Sequence, residues 1–285
     1  MEHDMETLLR IVIYILTFVL VDCRRHHEFS YGGDQYGPTK WGVTWRECKG
    51  ENQSPVDLQH CKCIKKRFRL KFNNHGEQCN GYLINNGHAP TFVVRKCDKR
   101  KFITGIPFFS NVDYQLAQWH FHFGDKHDLG TEHAINGKRF SAELHMVHFN
   151  TKYGTITDAI DKEDGIAVVA ILFKESPSAR LSSIDQYFRK YGYHVYHPGH
   201  AVKSKFNPVT CIPRNSHLFY YRGSLTTPGC YESVHWLIFR KVQKISPRTM
   251  KFFRKLESYH HNDPIAHLTN LRPLQTLGKR ELYCN

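Results

Sequence analysis

The segment Gln118–Phe123, with the sequence QWHFHF, alternates polar side chains with aromatic ones. On a β-strand successive side chains point to opposite faces, so His120 and His122 would project from the same face. On an α-helix the same two side chains would diverge by about 200°. The alternation therefore predicts a strand that presents two imidazoles to one point, although an isolated pair with this spacing is more often formed by surface or core histidines.

A second alternating segment, Glu143–His148 (ELHMVH), can supply a third imidazole. As a strand it places Glu143, His145 and Val147 on one face. Three neutral imidazole nitrogens with a fourth position left for water are typical of catalytic zinc, whereas structural zinc is normally closed by four protein ligands. Without the other segment, the preferred interpretation of His145 is a hydrogen-bonded core histidine.

Short runs that alternate apolar and polar residues recur along the chain with turn signals between them and favour a β-rich fold. They are Tyr82–Ile84, Thr91–Val94, Leu116–Phe123, Glu143–Phe149, Ile166–Phe173 and Val234–Phe239. Helical periodicity is found chiefly in Ser182–Tyr191, where Ser182 or Ser183 is a candidate N-cap, and in Pro247–Tyr259. Because no internal repeat or linker divides the 285 residues, we predict one mainly β (α+β) domain with short peripheral helices.

The first 23 residues are interpreted as a secretory signal peptide, followed by one domain over residues 24–285. The apolar run Leu8–Val21, interrupted only by Arg10, is shorter than the roughly 20 residues that a membrane-spanning helix needs, and polar residues follow it. Three acids precede the run, which is unusual for a signal peptide, and an uncleaved anchor is the alternative. We expect a secreted, extracellular protein with no membrane span after cleavage.

Nine cysteines without a CxxC…CxxC pattern fit an oxidising compartment better than a zinc ribbon. Cleavage after Cys23 would leave eight, an even number that can pair completely. If residues 79–97 form one hairpin, Cys79 and Cys97 can pair across it. The sequence assigns no partners to the remaining candidates Cys61, Cys63, Cys211 and Cys284.

The chain is strongly basic, with 40 lysines and arginines against 26 acids and a formal net charge of +14. The charge concentrates at Lys65–Arg67, Arg95–Lys96, Lys99–Lys101 and Lys279–Arg280. A solvated face is the simpler interpretation, and attraction to polyanions such as acidic glycans, acidic matrix proteins or anionic lipid is the functional one. Nucleic acid is disfavoured by the secretory start and by the lack of a zinc-finger, RNP or helix-turn-helix signature. A monomer is the default for a closed single domain.

Seven motifs agree in order with those of one known family. They are Gly50–Asp57 (GENQSPVD), Asn85–His88 (NNGH), Gln118–Phe123, Gly130–His133 (GTEH), Glu143–His145 (ELH), Gly223–Pro228 (GSLTTP) and Leu271–Pro273 (LRP). On these motifs the sequence resembles an α-class carbonic anhydrase from about Tyr31 to Leu277. The resemblance implies a single domain around a large twisted, mostly antiparallel central β-sheet, with Zn²⁺ held by His120, His122 and His145 at the bottom of a conical cleft.

The activity implied by the resemblance is the reversible hydration of CO₂ to bicarbonate and a proton by attack of zinc-bound hydroxide. Carbonic anhydrase is itself the standard example of a zinc that makes its bound water ionise near neutral pH. Thr226 would accept a hydrogen bond from the hydroxide and donate one to Glu132, which aims a lone pair at carbon. Gln118 and Glu143 would fix the second nitrogens of His120 and His145.

His88, after the turn Asn85–Gly87, matches the proton-shuttle position of the family. An unperturbed imidazole titrates near pH 6.5, which suits that task. Considered alone, a histidine beside an Asn-Gly turn is more often a surface residue.

Other matched positions line the expected cleft. The apolar wall that receives CO₂ corresponds to Val147, Val168, Leu225, Val234 and Trp236, for which ordinary sheet core is the alternative. Tyr31, Asn86 and Thr227 match polar positions that hold a water chain, and Thr227 is also expected to contact substrate. The resemblance further implies a disulfide between Cys48 and Cys230 that braces the Thr226 loop.

Three residues depart from the family pattern: Phe123 stands in place of tryptophan, and Arg222 and Gly229 in place of prolines. None of them is an expected zinc ligand, but Arg222 and Gly229 flank the Thr226 loop and put its rigidity in doubt.

Two functions follow from the sequence. The first is an active secreted zinc enzyme, serving pH control, ion transport or carbonate biomineralisation. The second is a catalytically idle relative that binds extracellular matrix through its basic surface. The presence of all three histidines together with His88, Thr226 and Glu132 favours the enzyme.

Overall fold

The fold is built on one large β-sheet. A computed structural model describes residues 29–74, 78–97, 99–179, 182–214, 216–259 and 264–285, and the predicted signal peptide lies outside them. The strands are β1 (Asp57–Leu58), β2 (Cys63–Lys65), β3 (Lys71–Asn73), β4 (Cys79–Asn85), β5 (Pro90–Cys97), β6 (Phe102–Thr104), β7 (Tyr114–Phe123), β8 (Ala134–Ile135), β9 (Ala142–Asn150), β10 (Ile166–Glu175), β11 (Ala201–Phe206), β12 (Leu218–Gly223), β13 (Val234–Phe239), β14 (Gln243–Ile245) and β15 (Leu282–Cys284).

Thirteen of these strands form a single mixed sheet within the described residues. Its main path runs β11-β4-β5-β7-β9-β10-β13-β12-β15-β2, while β14 pairs with β10, and β6 pairs with β3 and β7. The path is antiparallel from β11 to β10, and parallel pairs occur at β10 with β13 and with β14, and at β15 with β2. The predicted single, mainly β domain with a mostly antiparallel central sheet is confirmed.

The two faces of the central strands bury different clusters. On one face, the helix-side cluster includes Leu144 and Met146 of β9 together with Phe188 and Phe253. On the other face, the site-side cluster includes Val147 of β9 and Val168 of β10. Because side chains alternate along a strand, β9 over residues 142–149 and β10 over residues 166–173 are apolar on both faces except where β9 carries Glu143, His145 and His148.

The helices are short and peripheral, as the sequence predicts. The α-helices are α1 (Trp41–Thr44), α2 (Ile156–Ala159), α3 (Ser183–Tyr191), α4 (Pro247–Phe253) and α5 (Ile265–Leu268), and 3₁₀ turns occur at Arg46–Lys49, His60–Lys62, Thr151–Tyr153, Gly192–His194 and Pro208–Cys211. Ser182 is the N-cap of α3, where its hydroxyl accepts from the Asp185 amide and the Asp185 carboxylate accepts from the Ser182 amide. None of the helices in the described ranges is long and apolar enough to cross a membrane.

The helix predicted over Pro247–Tyr259 is too long, because α4 ends at Phe253. The Glu257 amide donates to the Tyr196 carbonyl, and Glu257 forms an isolated antiparallel bridge with Pro264. Leu256 is fully buried in the helix-side cluster. These long-range contacts outweigh the local preference for another helical turn.

The described chain contains three disulfides. Cys48 bonds to Cys230, Cys63 to Cys284, and Cys79 to Cys97. The expectation that eight cysteines pair completely is wrong, since Cys61 and Cys211 are both free. Cys211 is buried, and burial raises the pKa of its thiol to about 12.

Candidate metal centre

Three histidines converge on the site-side face of the sheet. His120 and His122 lie on β7, and His145 lies on β9 directly opposite His120 in the strand register. One ring nitrogen from each of the three histidines lies within 4.8 Å of the other two. The strand alternation that the sequence predicts is what turns these rings toward one point.

The second nitrogen of each ring is held by an acceptor. His120 Nδ1 donates to Gln118 Oε1 at 2.9 Å, and His145 Nε2 donates to Glu143 Oε1 at 2.8 Å. His122 Nδ1 donates to the backbone carbonyl of Asn270 at 2.6 Å. These bonds fix the tautomers, so His120 Nε2, His122 Nε2 and His145 Nδ1 carry the free lone pairs.

The positions of the ring nitrogens indicate whether the three histidines could bind a metal ion. His120 Nε2 lies 3.1 Å from His122 Nε2. If both Nδ1 atoms are donors, neither Nε2 carries a proton, and a cation between the rings would offset the repulsion of the two lone pairs. Burial, followed by the neighbouring imidazoles, lowers the pKa of His120 well below its ordinary value. Three neutral imidazoles are a donor set that suits zinc.

Glu143 anchors a buried network behind His145. Its carboxylate also accepts from the His133 amide at 2.9 Å and from His133 Nδ1 at 2.7 Å. His133 Nε2 in turn lies 2.7 Å from the Tyr221 hydroxyl. Burial disfavours the charged form of Glu143, but His133 and the hydrogen bonds outweigh burial and hold its pKa well below the ordinary value.

Asn270 was missed by the sequence reasoning and links several parts of the site. Besides its carbonyl bond to His122, its Nδ2 donates to the carbonyls of His88 and Phe121, and its Oδ1 accepts from the Phe123 amide. His133 and Tyr221 were also missed. The available signal was that Asn270 directly precedes the LRP motif and His133 ends the GTEH motif.

Glu132 is completely buried beside the histidines. Its Oε1 accepts from the Arg272 amide at 3.0 Å, and its Oε2 lies 3.5 Å from His122 Nε2. Oε2 has no hydrogen-bond partner among the described residues, so the expected bond from Thr226 to this oxygen is not formed. Thr226 is itself 5% exposed, and Glu132 Oε2 is left as an acceptor within the site.

The loop that carries Thr226 is braced on several sides. The Leu225 amide donates to the Tyr231 carbonyl, and the Cys230 amide donates to the Thr227 carbonyl. Cys230 is tied to Cys48, so the far end of the loop is anchored covalently. Gly229 has φ +95°, a conformation that proline cannot adopt, which explains its departure from the family pattern.

The other two departures also have structural partners. Arg222 Nη2 forms an ion pair with Glu163 Oε1 at 2.9 Å. Phe123 is buried and stacks on Phe253, with ring centroids 5.2 Å apart.

The residues expected to form the apolar wall all belong to the site-side cluster. Val147, Val168 and Trp236 are cross-strand neighbours on β9, β10 and β13, and Val234 and the partly buried Leu225 pack with them. The Trp236 ring lies 4.8 Å from the His145 ring, and its Nε1 donates to the Ser224 carbonyl. The structure thus places apolar surface directly beside His145.

His88 is half-buried in an aromatic setting. Its ring stacks on Phe29 with centroids 4.0 Å apart, and the Tyr31 ring lies 6.2 Å away edge-on. Asn86 Oδ1 accepts from the His88 and Ala89 amides, which holds the turn. Burial, followed by the charge of Glu132, raises the pKa of Tyr31 well above its ordinary value. Thr227 is half-buried in the loop beside Thr226.

Comparison with known proteins gives a consistent result. The model of the eukaryotic-type carbonic anhydrase family matches residues 36–285. Human carbonic anhydrase 7 is 36% identical over 261 residues, covering 90% of this chain and 96% of the relative. Human carbonic anhydrase 3 is 32% identical over 264 residues, covering 89% of this chain and 96% of the relative. The chain therefore belongs to the eukaryotic-type carbonic anhydrase family.

Proposed function

We propose that this protein is a zinc carbonic anhydrase that catalyses the reversible hydration of CO₂ to bicarbonate and a proton. The observation that carries the proposal is the set of three imidazoles that each have one ring nitrogen held by a hydrogen bond and the other directed toward a common point. His120, His122 and His145 would hold the metal. Zinc bound there supplies a water that is acidic enough to act as a nucleophile near neutral pH.

The surrounding residues orient the reactants. Glu132 Oε2 is a buried acceptor without a hydrogen-bond partner among the described residues. If the Thr226 hydroxyl donates to it, the oxygen of Thr226 is left to accept a hydrogen bond from the nucleophile. Gln118 and Glu143 keep the rings of His120 and His145 in place. Because CO₂ is apolar, Val147, Val168, Leu225, Val234 and Trp236 would receive it beside the nucleophile, with Thr227 as a further substrate contact.

Each turnover leaves one proton to be exported to solvent. His88 is half-buried and can accept a proton on one side and release it on the other. Tyr31 keeps its phenolic proton, because its raised pKa lies far above neutral pH. Together with Asn86 and Thr227 it can therefore donate hydrogen bonds that order water between the nucleophile and His88.

We further propose that the protein is secreted as a monomer after removal of residues 1–23. Three disulfides support an oxidising environment. A secreted enzyme of this kind would serve pH control, ion transport or carbonate biomineralisation. The alternative of a catalytically idle relative finds no support in the site, where the histidines and their hydrogen-bonded partners are complete.

The test is stopped-flow CO₂ hydration with zinc analysis of the same preparation. His122→Ala should lose both stoichiometric zinc and rapid hydration. His194→Ala removes an exposed histidine outside the site and should change neither. If zinc-loaded wild type hydrates CO₂ no faster than His122→Ala, the proposed activity is wrong.

A further inference from the structure

A basic segment lies outside the metal centre and has no part in the proposed reaction. Between β2 and β3 the chain reads KKRFRLK over Lys65–Lys71. Exposure alternates along this segment, so that Lys65, Arg67, Arg69 and Lys71 are exposed and the three residues between them are half-buried. In extended chain, alternate side chains lie about 7 Å apart on one side. The segment therefore presents a line of four cations.

The backbone of this segment is fixed. The Lys66 amide donates to the Cys284 carbonyl at 2.9 Å, and Asn285 Nδ2 donates to the Phe68 carbonyl at 3.0 Å. Gly105, at φ +83°, approaches so closely that a Cβ on it would lie 2.1 Å from the Arg69 carbonyl oxygen. The Cys63–Cys284 disulfide anchors the strand that precedes the segment. The four cations are thus presented by a rigid support, which lowers the entropy cost of binding a ligand.

A cavity of about 320 Å³ lies between this segment and the loop at residues 104–111. We call it the basic groove. Its lining includes Lys66, Arg67, Arg69 and Lys71, and no acidic side chain is among the lining residues that the structure describes. Phe108 projects from the opposite wall with 61% of its surface exposed, and Lys66 Nζ lies 4.2 Å from the centre of its ring. The groove is concave, cationic and partly aromatic.

The exposed cations of the segment Lys65–Lys71 are uncompensated. Within the described parts of the chain, none of Lys65, Arg67, Arg69 and Lys71 forms an ion pair, whereas Arg222 and Arg254 elsewhere do. Like charges held at this spacing repel one another, and a bound polyanion would relieve the repulsion. A second cavity, of about 380 Å³, is also lined by basic residues, but it contains the carboxylate of Asp185.

We propose that the basic groove binds a sulfated polysaccharide. A guanidinium offers paired N–H donors that match two oxygens of one sulfate, and Arg67 and Arg69 present two such groups in line. A linear glycan carries sulfates at regular intervals, which suits cations at regular intervals, and the exposed face of Phe108 can pack on a sugar ring. The disulfides favour an extracellular ligand over nucleic acid. The groove is concave, which disfavours a flat membrane surface.

The proposal of glycan binding in the basic groove rests on the proposed secretion but not on the hydration reaction. Phe68, Leu70 and Phe109, beside the groove, pack against the helix-side cluster, whereas the apolar wall of the metal centre belongs to the site-side cluster. Glycan binding and CO₂ hydration can therefore be lost separately.

The test is binding of a size-defined, fluorescently labelled heparin oligosaccharide to the purified full chain at about physiological salt. Arg67→Ala/Arg69→Ala should weaken binding roughly tenfold and reduce the salt dependence of the affinity by about two ions. Lys65→Ala/Lys71→Ala should also weaken it. The matched control is Arg189→Ala/Arg248→Ala, which removes the same charge from the exposed rim of the second cavity and should change the affinity less than about twofold.

Three outcomes would overturn the proposal. The first is that wild type does not bind the oligosaccharide at physiological salt. The second is that both double-arginine variants weaken binding equally, which would leave net charge as the only cause. Equal binding of desulfated heparin or of polyglutamate would assign the groove to carboxylates or acidic peptides instead. The CO₂ hydration rate of each variant is measured in parallel and should be unchanged, so that failure of the glycan site is distinguished from failure of the enzyme.

Discussion

At the scale of single residues, the acceptors behind the histidines are as important as the histidines themselves. Gln118 Oε1 is 2.9 Å from His120 Nδ1 and leaves Nε2 free to bind metal. We expect Gln118→Ala to weaken zinc affinity about tenfold, because the ring loses its fixed tautomer and orientation. Competition with a chelator measures the zinc affinity of each protein. Gln115→Ala, on the same strand but outside the site, is the control, and equal losses in both variants would contradict the positioning role.

A second prediction at the scale of single residues concerns proton export by His88. If it exports protons, His88→Ala should lower kcat by about tenfold or more in dilute buffer while leaving kcat/KM for CO₂ unchanged. Imidazole added to the solution should restore kcat, because it replaces the missing proton carrier. Stopped-flow hydration at two buffer concentrations measures both effects. The shuttle assignment fails if His88→Ala lowers kcat and kcat/KM equally, or if His194→Ala behaves in the same way.

At the scale of elements, Asp185 joins two helices of the helix-side layer. Its Oδ2 completes the cap of α3, and its Oδ1 accepts from the Ser246 amide and hydroxyl at the start of α4. Burial favours the neutral acid, but hydrogen bonds from Thr249, Ser246 and Ser182 outweigh burial and lower its pKa. The carboxylate therefore stabilises the fold in its charged form.

The sign of the pH effect follows from the lowered pKa. The stabilisation is complete above the ordinary aspartate pKa of about 3.9 and is lost as the pH falls through the lower folded value. Asp185→Asn should reduce the free energy of unfolding by about 1–3 kcal/mol at pH 7 and by less in acid. Urea unfolding at several pH values measures the free energy of unfolding of wild type and of the variant. Asp161→Asn, at an exposed carboxylate, should stay within about 0.5 kcal/mol, and a pH-independent loss in Asp185→Asn would contradict the account.

Removal of two of the disulfides is expected to have different effects on stability and on the hydration rate. Cys48–Cys230 spans 182 residues and anchors the Thr226 loop, whereas Cys79–Cys97 spans 18 residues at the end of the β4–β5 hairpin away from His88. Loop-closure entropy assigns them about 5 and about 3 kcal/mol of stability. Cys48→Ser/Cys230→Ser should lower both thermal stability and the hydration rate. Cys79→Ser/Cys97→Ser should lower stability alone, and a hydration rate that survives loss of Cys48–Cys230 would show that the loop is held by its hydrogen bonds.

At the scale of the whole molecule, local sequence patterns predicted what depends on neighbouring residues, and the family resemblance supplied the distant Cys48–Cys230 pair. The pairing of His120 with His122 follows from strand alternation, and the Cys79–Cys97 bond follows from a local hairpin. What the sequence reasoning missed depends on distant contacts. The Asn270 carbonyl meets His122 across 148 residues, and Cys63 meets Cys284 only because β2 and β15 lie parallel at the edge of the sheet. Such pairings are set by the assembled sheet and leave no local pattern.

The last prediction concerns the route of the whole chain out of the cell. Disulfides that join Cys48 to Cys230 and Cys63 to Cys284 need an oxidising compartment to form and persist. The apolar run Leu8–Val21 has the length of a signal sequence, and the polar residues after it favour cleavage over anchoring. When the full sequence is expressed in an animal cell line, the cleaved protein should therefore appear in the medium with Arg24 as its first residue.

Mass spectrometry of the secreted protein measures this cleavage, and a matched pair of substitutions tests its cause. Leu16→Arg places a charge in the apolar run and should keep the protein inside the cell. Leu129→Arg makes the same change at an exposed position of the folded domain and should leave secretion intact. An intact chain in the membrane fraction would instead establish residues 8–21 as an anchor. In that case the metal centre and the basic groove would act at the cell surface, since the disulfides require the same side of the membrane for the domain.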